Sequence, residues 1–203
     1  MNAVARAYDL LAPRFGEWSK QVEGDPWEQF LERLEAELEP GARVLDLGCG
    51  NGVKTKRLAR TFDVTGVDVS GEQLRLARAE APAATFVQAD FAELDHAGES
   101  FDAVTAFYSF VHVPRDEHAR LFAGIRRWLK PGGLFLASLS HVGGPDRLET
   151  WLGVEMFFSG WDAATSRRLV REAGFELLVD EVIAMREPEH EVAFLWVLAR
   201  KTS

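Results

Sequence analysis

The stretch Asp46-Leu-Gly48-Cys-Gly50-Asn-Gly52 decides the fold of this chain. It starts at the end of a short apolar segment, 43–47, that has the pattern of a buried strand, and a helical pattern follows at 53–62. Glycines at such a turn let the backbone bend sharply and let a ligand approach it, while the N-terminus of the next helix favours an anion. The stretch therefore predicts a loop that binds a nucleotide-like ligand.

A second acidic residue agrees with this interpretation. Asp68 ends the next predicted strand, 64–68, about 20 residues after the first glycine of the loop. An acidic side chain at this point accepts hydrogen bonds from the two hydroxyl groups of a ribose. The loop and the acid together imply an adenosyl group, and the neighbouring Val69 is predicted to contact the same ligand.

The spacing of the glycines separates the candidate ligands. The dinucleotide fingerprint is G-x-G-x-x-G, whereas here the glycines fall at 48, 50 and 52 and position 53 is Val. The loop also lacks the Lys-Ser/Thr ending of a phosphate-binding P-loop. The glycine spacing disfavours an NAD-dependent oxidoreductase, and the missing Lys-Ser/Thr ending disfavours a P-loop.

The rest of the chain alternates between strands and helices. Further strands are predicted at 84–88, 101–107 and 134–139, with helices at 74–80 and 116–129. This alternation is typical of a parallel sheet covered by helices on both faces. After a helix at 162–172, two strands at 175–184 and 192–200 form a predicted hairpin, so one of them runs antiparallel to the rest.

Two helix starts are predicted from capping residues. Asp25 is predicted as an N-cap, with Pro26 at the first helical position and Glu28 completing a capping box. Ser70 with Gln73 is predicted to cap the helix that follows the second strand.

Length and composition limit the class of protein. A chain of 203 residues with 47% hydrophobic and 27% charged residues predicts a single folded domain, 1–203. The net charge of −9 argues against bulk binding of nucleic acid, and a single cysteine excludes an internal disulfide. We see no apolar run of about 20 residues, no signal peptide and no metal-ligand spacing. We therefore expect a cytoplasmic protein without a metal.

An acid two residues before G-x-G-x-G resembles the first motif of class I S-adenosylmethionine-dependent methyltransferases. Four later segments resemble the following motifs of that family in their order: 88–91, 101–107, 129–133 and 171–175. The resemblance implies a Rossmann-like three-layer α/β sandwich. Its seven-stranded, mostly parallel sheet has the order 3-2-1-4-5-7-6, with strand 7 antiparallel, which agrees with the predicted hairpin.

The resemblance also implies S-adenosylmethionine as cofactor, with S-adenosylhomocysteine as product. The glycine loop would face the methionine part, Asp68 the ribose, and Asp90 with Phe91 the adenine. Tyr8 and Phe15 resemble the aromatic pair of an N-terminal arm, 1–24, that folds over the cofactor; ordinary helix packing is the alternative. The predicted cofactor-binding residues are Tyr8, Phe15, Asp46, Gly48, Gly50, Gly52, Asp68, Val69, Asp90, Phe91 and Phe107.

Two histidines are candidate bases because they follow predicted strands four and five and titrate near neutral pH: His112 and His141. For each, the alternative is a loop histidine that orders its own backbone. Cys49 is predicted to be a small packing residue rather than a nucleophile, and Asp46 to order the loop and to face an ammonium group.

The segment 141–161 is predicted to cover the acceptor, as the corresponding insertion does in the family. Its aromatic residues favour a small apolar or aromatic acceptor, methylated on oxygen, nitrogen, sulfur or carboxyl, although core packing explains each ring alone. The predicted acceptor-binding residues are Tyr108, Trp151, Phe157 and Phe158. A non-catalytic S-adenosylmethionine-binding protein and a nucleic-acid or protein methyltransferase stay open as alternatives. We expect a monomer or homodimer without a membrane partner.

Overall fold

The computed structural model describes residues 3–202, so residues 1, 2 and 203 of the predicted domain lie outside the described part. Six α-helices lie in this part: α1 (Ala3–Ser19), α2 (Trp27–Glu35), α3 (Val53–Leu58), α4 (Gly71–Glu80), α5 (His118–Trp128) and α6 (Ala163–Glu172). Its nine strands are β1 (Arg43–Leu47), β2 (Asp63–Asp68), β3 (Thr85–Gln88), β4 (Phe101–Ala106), β5 (Leu129–Ser140), β6 (Arg147–Trp151), β7 (Val154–Phe158), β8 (Phe175–Arg186) and β9 (Glu191–Lys201).

Seven strands form the central sheet in the order β3-β2-β1-β4-β5-β9-β8. β1 lies in the middle, with Val44 beside Val64 of β2 and beside Ala103 of β4, and all pairs from β3 to β5 are parallel. β9 runs antiparallel to both of its neighbours. Within this sheet the predicted order 3-2-1-4-5-7-6 and the antiparallel last strand are confirmed, and β6 with β7 forms a separate two-stranded sheet.

Side chains that alternate along the strands pack into two apolar cores, one on each face of the central sheet. Leu45 and Leu47 of β1 point to the face covered by Phe122 and Trp128 of α5 and by α6. Val44 points to the opposite face, which α2 and α3 cover. This alternation is the period of a strand buried on both faces, and it produces the three-layer arrangement.

A third, smaller core joins α1 to β7. Val4, Ala7 and Leu11 of α1 pack around Met156 of β7, and all four side chains are buried. Polar contacts fix α1 on its other side, where the Asp9 carboxylate accepts hydrogen bonds from the Ser70 hydroxyl (2.6 Å) and the Glu72 amide (3.2 Å) of the α4 N-terminus. The first helix therefore lies over the carboxyl edge of the sheet.

The predicted helix starts have different outcomes. Ser70 caps α4 by accepting the Gln73 amide at 3.1 Å, as predicted. The predicted capping box at Asp25 is wrong by one residue, because α2 starts at Trp27 and Pro26 occupies the N-cap position. The Asp25 carboxylate accepts the Trp27 amide (3.2 Å) and the Tyr108 hydroxyl instead.

None of the helices described within residues 3–202 has the length and apolar character needed to cross a membrane.

Candidate active site

A cavity of about 450 Å³ lies at the carboxyl ends of β1, β2 and β4. Open parallel sheets bind ligands at this edge, next to the strand where the chain order reverses, which here is β1. In the order of the strands, Asp90 follows β3, Asp68 ends β2, the glycine loop follows β1 and Phe107 follows β4. α1 and β7 contribute the other walls through Tyr8 and Phe157.

At two positions of the glycine loop, the backbone conformation and the surrounding atoms leave no room for a side chain. Gly48 has a φ of +71°, and a Cβ there would lie 2.4 Å from the Ser109 Cβ. Gly52 has a φ of +84°, and its Cβ would lie 2.8 Å from the Ala77 Cα of α4. The last glycine therefore serves the packing of the loop on α4, and it is not among the residues that line the cavity.

Asp68 ties the end of β2 to the glycine loop. Its carboxylate accepts the Gly50 amide at 2.8 Å and the Ser70 amide at 2.9 Å. Burial raises the pKa of Asp68 to about 6, although both backbone hydrogen bonds act in the opposite direction. Asp68 lines the cavity, and each of its carboxylate oxygens keeps acceptor capacity, because an ionised oxygen accepts more than one hydrogen bond.

Asp46 is held inside the protein by two hydroxyl groups. Thr55 donates to one carboxylate oxygen at 2.7 Å and Thr105 to the other at 2.8 Å. Burial raises the pKa of Asp46, and the two hydrogen bonds act against that rise. Neighbouring Cys49 is buried and has a pKa raised mainly by desolvation, so it is a thiol rather than a nucleophilic thiolate.

The side of the cavity near β3 combines a carboxylate with an aromatic ring. The Asp90 carboxylate accepts the Ala92 amide at 3.0 Å, which starts a short 3-10 helix at Phe91–Glu93. Phe91 lies in this turn and packs against Phe110 with ring centroids 6.2 Å apart. Asp90 and Phe91 both line the cavity beside Asp68 and Val69.

Tyr8, His112 and Phe157 form a hydrogen-bonded chain across the cavity wall. The His112 Nδ1 lies 2.8 Å from the Phe157 carbonyl oxygen, which only accepts, so Nδ1 carries the proton. The Tyr8 hydroxyl therefore donates to Nε2, also at 2.8 Å. Burial lowers the pKa of His112 to about 4, so its ring is neutral near pH 7.

Tyr108, the second residue after β4, occupies a strained position. Its φ of +57° is uncommon for a side-chain-bearing residue, and the Ser138 hydroxyl accepts its amide at 2.7 Å. Its own hydroxyl donates to the Asp25 carboxylate. Burial, together with Asp25, raises the Tyr108 pKa, so its hydroxyl stays protonated.

Most of the predicted site residues line this one cavity. They are Tyr8, Phe15, Asp46, Gly48, Gly50, Asp68, Val69, Asp90, Phe91, Phe107, Tyr108, His112 and Phe157. Four predicted residues are not among the lining residues: Gly52, His141, Trp151 and Phe158.

Three of those four have other contacts. The His141 Nδ1 donates to the Ala193 carbonyl at 2.8 Å, at the far side of β5. Trp151 packs edge-on against Trp18 of α1, with centroids 5.1 Å apart, and Phe158 packs beside His112 at 5.2 Å. Trp151 therefore packs on α1 and Phe158 packs on His112, and neither ring lines the cavity.

Lys54 is the main lining residue that sequence reasoning missed. Its ammonium group lies over the rings of Tyr108 (5.2 Å), Trp27 (5.4 Å) and Phe107 (6.0 Å). Desolvation lowers its pKa, while Asp25 and Asp46 act in the opposite direction. The sequence Val-Lys-Thr-Lys-Arg-Leu has the composition of a solvated helix, and only the place of Lys54 directly behind the glycine loop could have indicated its role.

Leu148, Val53, Asn51 and Ser109 were also missed. Leu148 and Val53 line the cavity although they are 58% and 46% exposed, so they lie at its mouth. No cluster of three or more His, Cys, Asp or Glu side chains suited to a metal ion is found among residues 3–202.

Comparison with known proteins agrees with this geometry. Residues 44–133 match a family model described as a methyltransferase domain. Methyltransferase GfsG of Streptomyces halstedii is 33% identical over 201 residues, which cover 87% of this chain and 70% of that protein. An O-methyltransferase of Pyrenophora dematioidea is 35% identical over 162 residues, 74% of this chain, and the match spans only 59% of that relative.

A solved structure extends the likeness to the whole fold. It is the 1,6-didemethyltoxoflavin-N1-methyltransferase of Burkholderia thailandensis with bound 1,6-didemethyltoxoflavin and S-adenosylhomocysteine. It is 25% identical, with a TM-score of 0.67, and the match covers 98% of this chain and 89% of that chain. With the family model, the match to GfsG and this shared fold, the chain belongs to the class I S-adenosylmethionine-dependent methyltransferases.

Proposed function

We propose that this protein transfers the methyl group of S-adenosylmethionine to a small, largely apolar or aromatic acceptor. The observation that carries the proposal is one cavity that joins the glycine loop and Asp68 to a wall of aromatic and aliphatic side chains. Its volume of about 450 Å³ lies in the ordinary range of small-molecule sites.

The described residues fit the adenosine part of this cofactor. A Cβ on Gly50 would meet no protein atom within 4 Å, so the space above the loop is open to a ligand. We propose that the free acceptor capacity of Asp68 binds the ribose hydroxyls and that Asp90 and Phe91 contact the adenine. Val69 completes this end of the site.

The chain's own contribution is position and electrostatics. When bound, S-adenosylmethionine supplies a methyl group on a sulfonium sulfur, whose leaving group needs no protonation. The aromatic faces of Tyr8, Phe15 and Phe107 and the Asp46 carboxylate favour positive charge in the cavity. We propose that the arm 1–24, through α1, covers the cofactor and that the insertion 141–161, through Leu148 and Phe157, covers the acceptor.

His112 is our candidate base, acting through Tyr8. Its Nε2 already accepts the Tyr8 hydroxyl, so an acceptor that donates to the Tyr8 oxygen would lose its proton as the Tyr8 proton moves to Nε2. The low pKa of His112 makes it a weak base, so this relay favours acceptors with more acidic protons, phenols over aliphatic alcohols. His141 has no part in the proposal, because it does not line the cavity.

The cavity wall and the net charge support the proposed acceptor class. Leu148, Phe157 and Phe15 present apolar surface, and the net charge of −9 disfavours a nucleic acid. The names of the Pyrenophora and Burkholderia relatives refer to oxygen and nitrogen methylation. We therefore favour an oxygen or nitrogen atom of a small ring compound.

Binding and transfer test the proposal separately. Isothermal titration should detect S-adenosylmethionine and S-adenosylhomocysteine but not NAD. Asp68→Asn should weaken both at least tenfold, because it removes charged acceptors, whereas Asp63→Asn at the exposed start of β2 should not. NAD binding in place of S-adenosylhomocysteine would contradict the cofactor.

A screen with labelled S-adenosylmethionine tests the reaction itself. We expect label in small phenols, amines or carboxylic acids and none in nucleic acid. Label only in nucleic acid or protein would overturn the acceptor class. Tight cofactor binding without transfer to any acceptor would indicate a non-catalytic binding protein.

A further inference from the structure

Lys54 is the only lysine or arginine among the described residues that line the cavity. Three aromatic rings lie around its ammonium group, those of Trp27, Phe107 and Tyr108. Within residues 3–202 this ammonium makes no hydrogen bond or ion pair, although Asp25 and Asp46 act on it electrostatically. Its three N–H donors are therefore free for a ligand.

The position of Lys54 along the sheet edge indicates which part of a ligand it meets. The glycine loop follows β1; Asp68 and Asp90 lie on the β2 and β3 side of it, and Phe107 and Tyr108 lie on the β4 side. Lys54 touches the rings on the β4 side. A long ligand with its adenosine at Asp68 and Asp90 would extend past the glycine loop toward Lys54.

The charges of the cavity agree with this orientation. Besides Lys54, the charged residues that line it are three carboxylates: Asp46, Asp68 and Asp90. The proposed cofactor carries an ammonium, a sulfonium and a carboxylate, and the carboxylate finds one cationic side chain in the lining. The aromatic rings compensate only part of the hydration that the Lys54 ammonium group has lost. A negatively charged ligand group would therefore stabilise this ammonium more than a neutral one.

We propose that Lys54 binds the carboxylate at the amino-acid end of the cofactor and thereby fixes the methionine part beside the glycine loop. This inference rests on the proposed function. It makes Lys54 a cofactor-positioning residue, with Trp27 and Tyr108 holding its side chain in the cavity.

Two ligands that differ by one group test this assignment by isothermal titration. S-adenosylhomocysteine carries the carboxylate, and its decarboxylated form lacks only that group. Lys54→Met should weaken S-adenosylhomocysteine about 10- to 100-fold, the range expected for a charged hydrogen bond, and leave the decarboxylated ligand unchanged. Lys54→Arg should keep most of the affinity for S-adenosylhomocysteine.

Lys56→Met is the matched control, because it removes the same charge from the same short helix while Lys56 pairs with exposed Glu80. It should bind both ligands as the unaltered protein does. An equal loss of both ligands in Lys54→Met would show a structural role and would overturn the assignment.

A different result would place Lys54 at the acceptor. If Lys54→Met keeps its affinity for S-adenosylhomocysteine and raises the KM of an anionic acceptor, the cofactor assignment is wrong. Failure of the unaltered protein to bind S-adenosylhomocysteine would contradict the proposed function itself, so the two failures are distinguishable.

Discussion

The Tyr8 hydroxyl and the Nε2 of His112 lie 2.8 Å apart, although 104 positions separate them in the sequence. This hydrogen bond joins α1 to the turn after β4, and the Phe157 carbonyl on the other ring nitrogen adds β7 to the same chain of contacts. One imidazole therefore connects both parts of the chain that lie over the cavity.

Removal of the Tyr8 hydroxyl should loosen this connection. Tyr8→Phe leaves the buried Nε2 of His112 without a donor, so we expect a loss of about 1–3 kcal/mol in the free energy of unfolding. Urea denaturation measures it. Leu10→Ala, on the 68% exposed face of the same helix, should change little, and equal stabilities of the two variants would contradict the role of this hydrogen bond.

The buried imidazole should make stability depend on pH. Burial lowers the pKa of His112 from 6.5 to about 4, so between these values the unfolded chain holds a proton that the folded protein lacks. The contribution of His112 is complete above about pH 6.5 and is lost toward about pH 4, by up to about 3 kcal/mol. It should appear as the difference in unfolding free energy between the unaltered protein and His112→Gln, measured across this range.

Subtraction of a variant is needed because Asp68 acts in the opposite direction. Its pKa is raised from 3.8 to about 6, so the folded protein holds the extra proton there and is stabilised relative to the unfolded chain as the pH falls through this range. The pH curve of the unaltered protein alone would mix both effects. A difference that stays flat from about pH 4 to about pH 7 would contradict a neutral, buried His112.

Gly48 should tolerate no side chain. Gly48→Ala combines a left-handed φ of +71° with a Cβ 2.4 Å from the Ser109 Cβ, so we expect a loss of about 2–5 kcal/mol in urea denaturation. Gly132→Ala has nearly the same φ, +73°, and meets no atom within 4 Å, so it should cost only about 1–2 kcal/mol.

A second substitution isolates the contact. Adding Ser109→Gly to Gly48→Ala removes the atom that the new Cβ would meet and should restore part of the stability. Equal losses for Gly48→Ala and Gly132→Ala would show that close packing of the loop on Ser109 is unimportant.

Cys49 should be almost unreactive in the folded protein. Burial, with smaller contributions from Asp46 and Asp68, raises its pKa well above the usual value of 9.0, and the thiolate is the reactive form. Because the chain has one cysteine, mass spectrometry after treatment with iodoacetamide follows this site alone. We expect slow labelling in buffer and fast labelling in urea; equal rates would contradict the burial.

The sequence predicted the sheet well because its signals are local. The apolar runs of β1, β2 and β4 and the Ser70 cap are each visible within about ten residues, and the final hairpin joins two strands that are neighbours in the chain. Boundaries were less accurate where irregular turns intervene. α5 starts at His118 rather than 116 because Arg115–Glu117 forms a 3-10 helix, and β5 already starts at Leu129, with a register shift against β4.

The predicted site was most complete around the glycine loop, where spacing along the chain fixes spacing in the fold. It was least complete where two distant segments meet. The sequence shows Tyr8 and His112 as separate candidates but not their hydrogen bond, and it does not show that 147–158 folds into a hairpin. Lys54 was missed because a charged side chain on a short helix is expected to point into solvent. In the fold its ammonium group lies over the rings of Trp27 and Tyr108, which belong to distant parts of the sequence.

The third apolar core joins residues that are translated far apart in time. Val4, Ala7 and Leu11 are translated between 145 and 152 residues before Met156, the residue they pack around. Until Met156 is made, α1 lacks the side chain at the centre of its apolar core, while the strands that carry the glycine loop and Asp68 are already complete. The glycine loop and Asp68 are thus translated before the full contact between α1 and β7 can form.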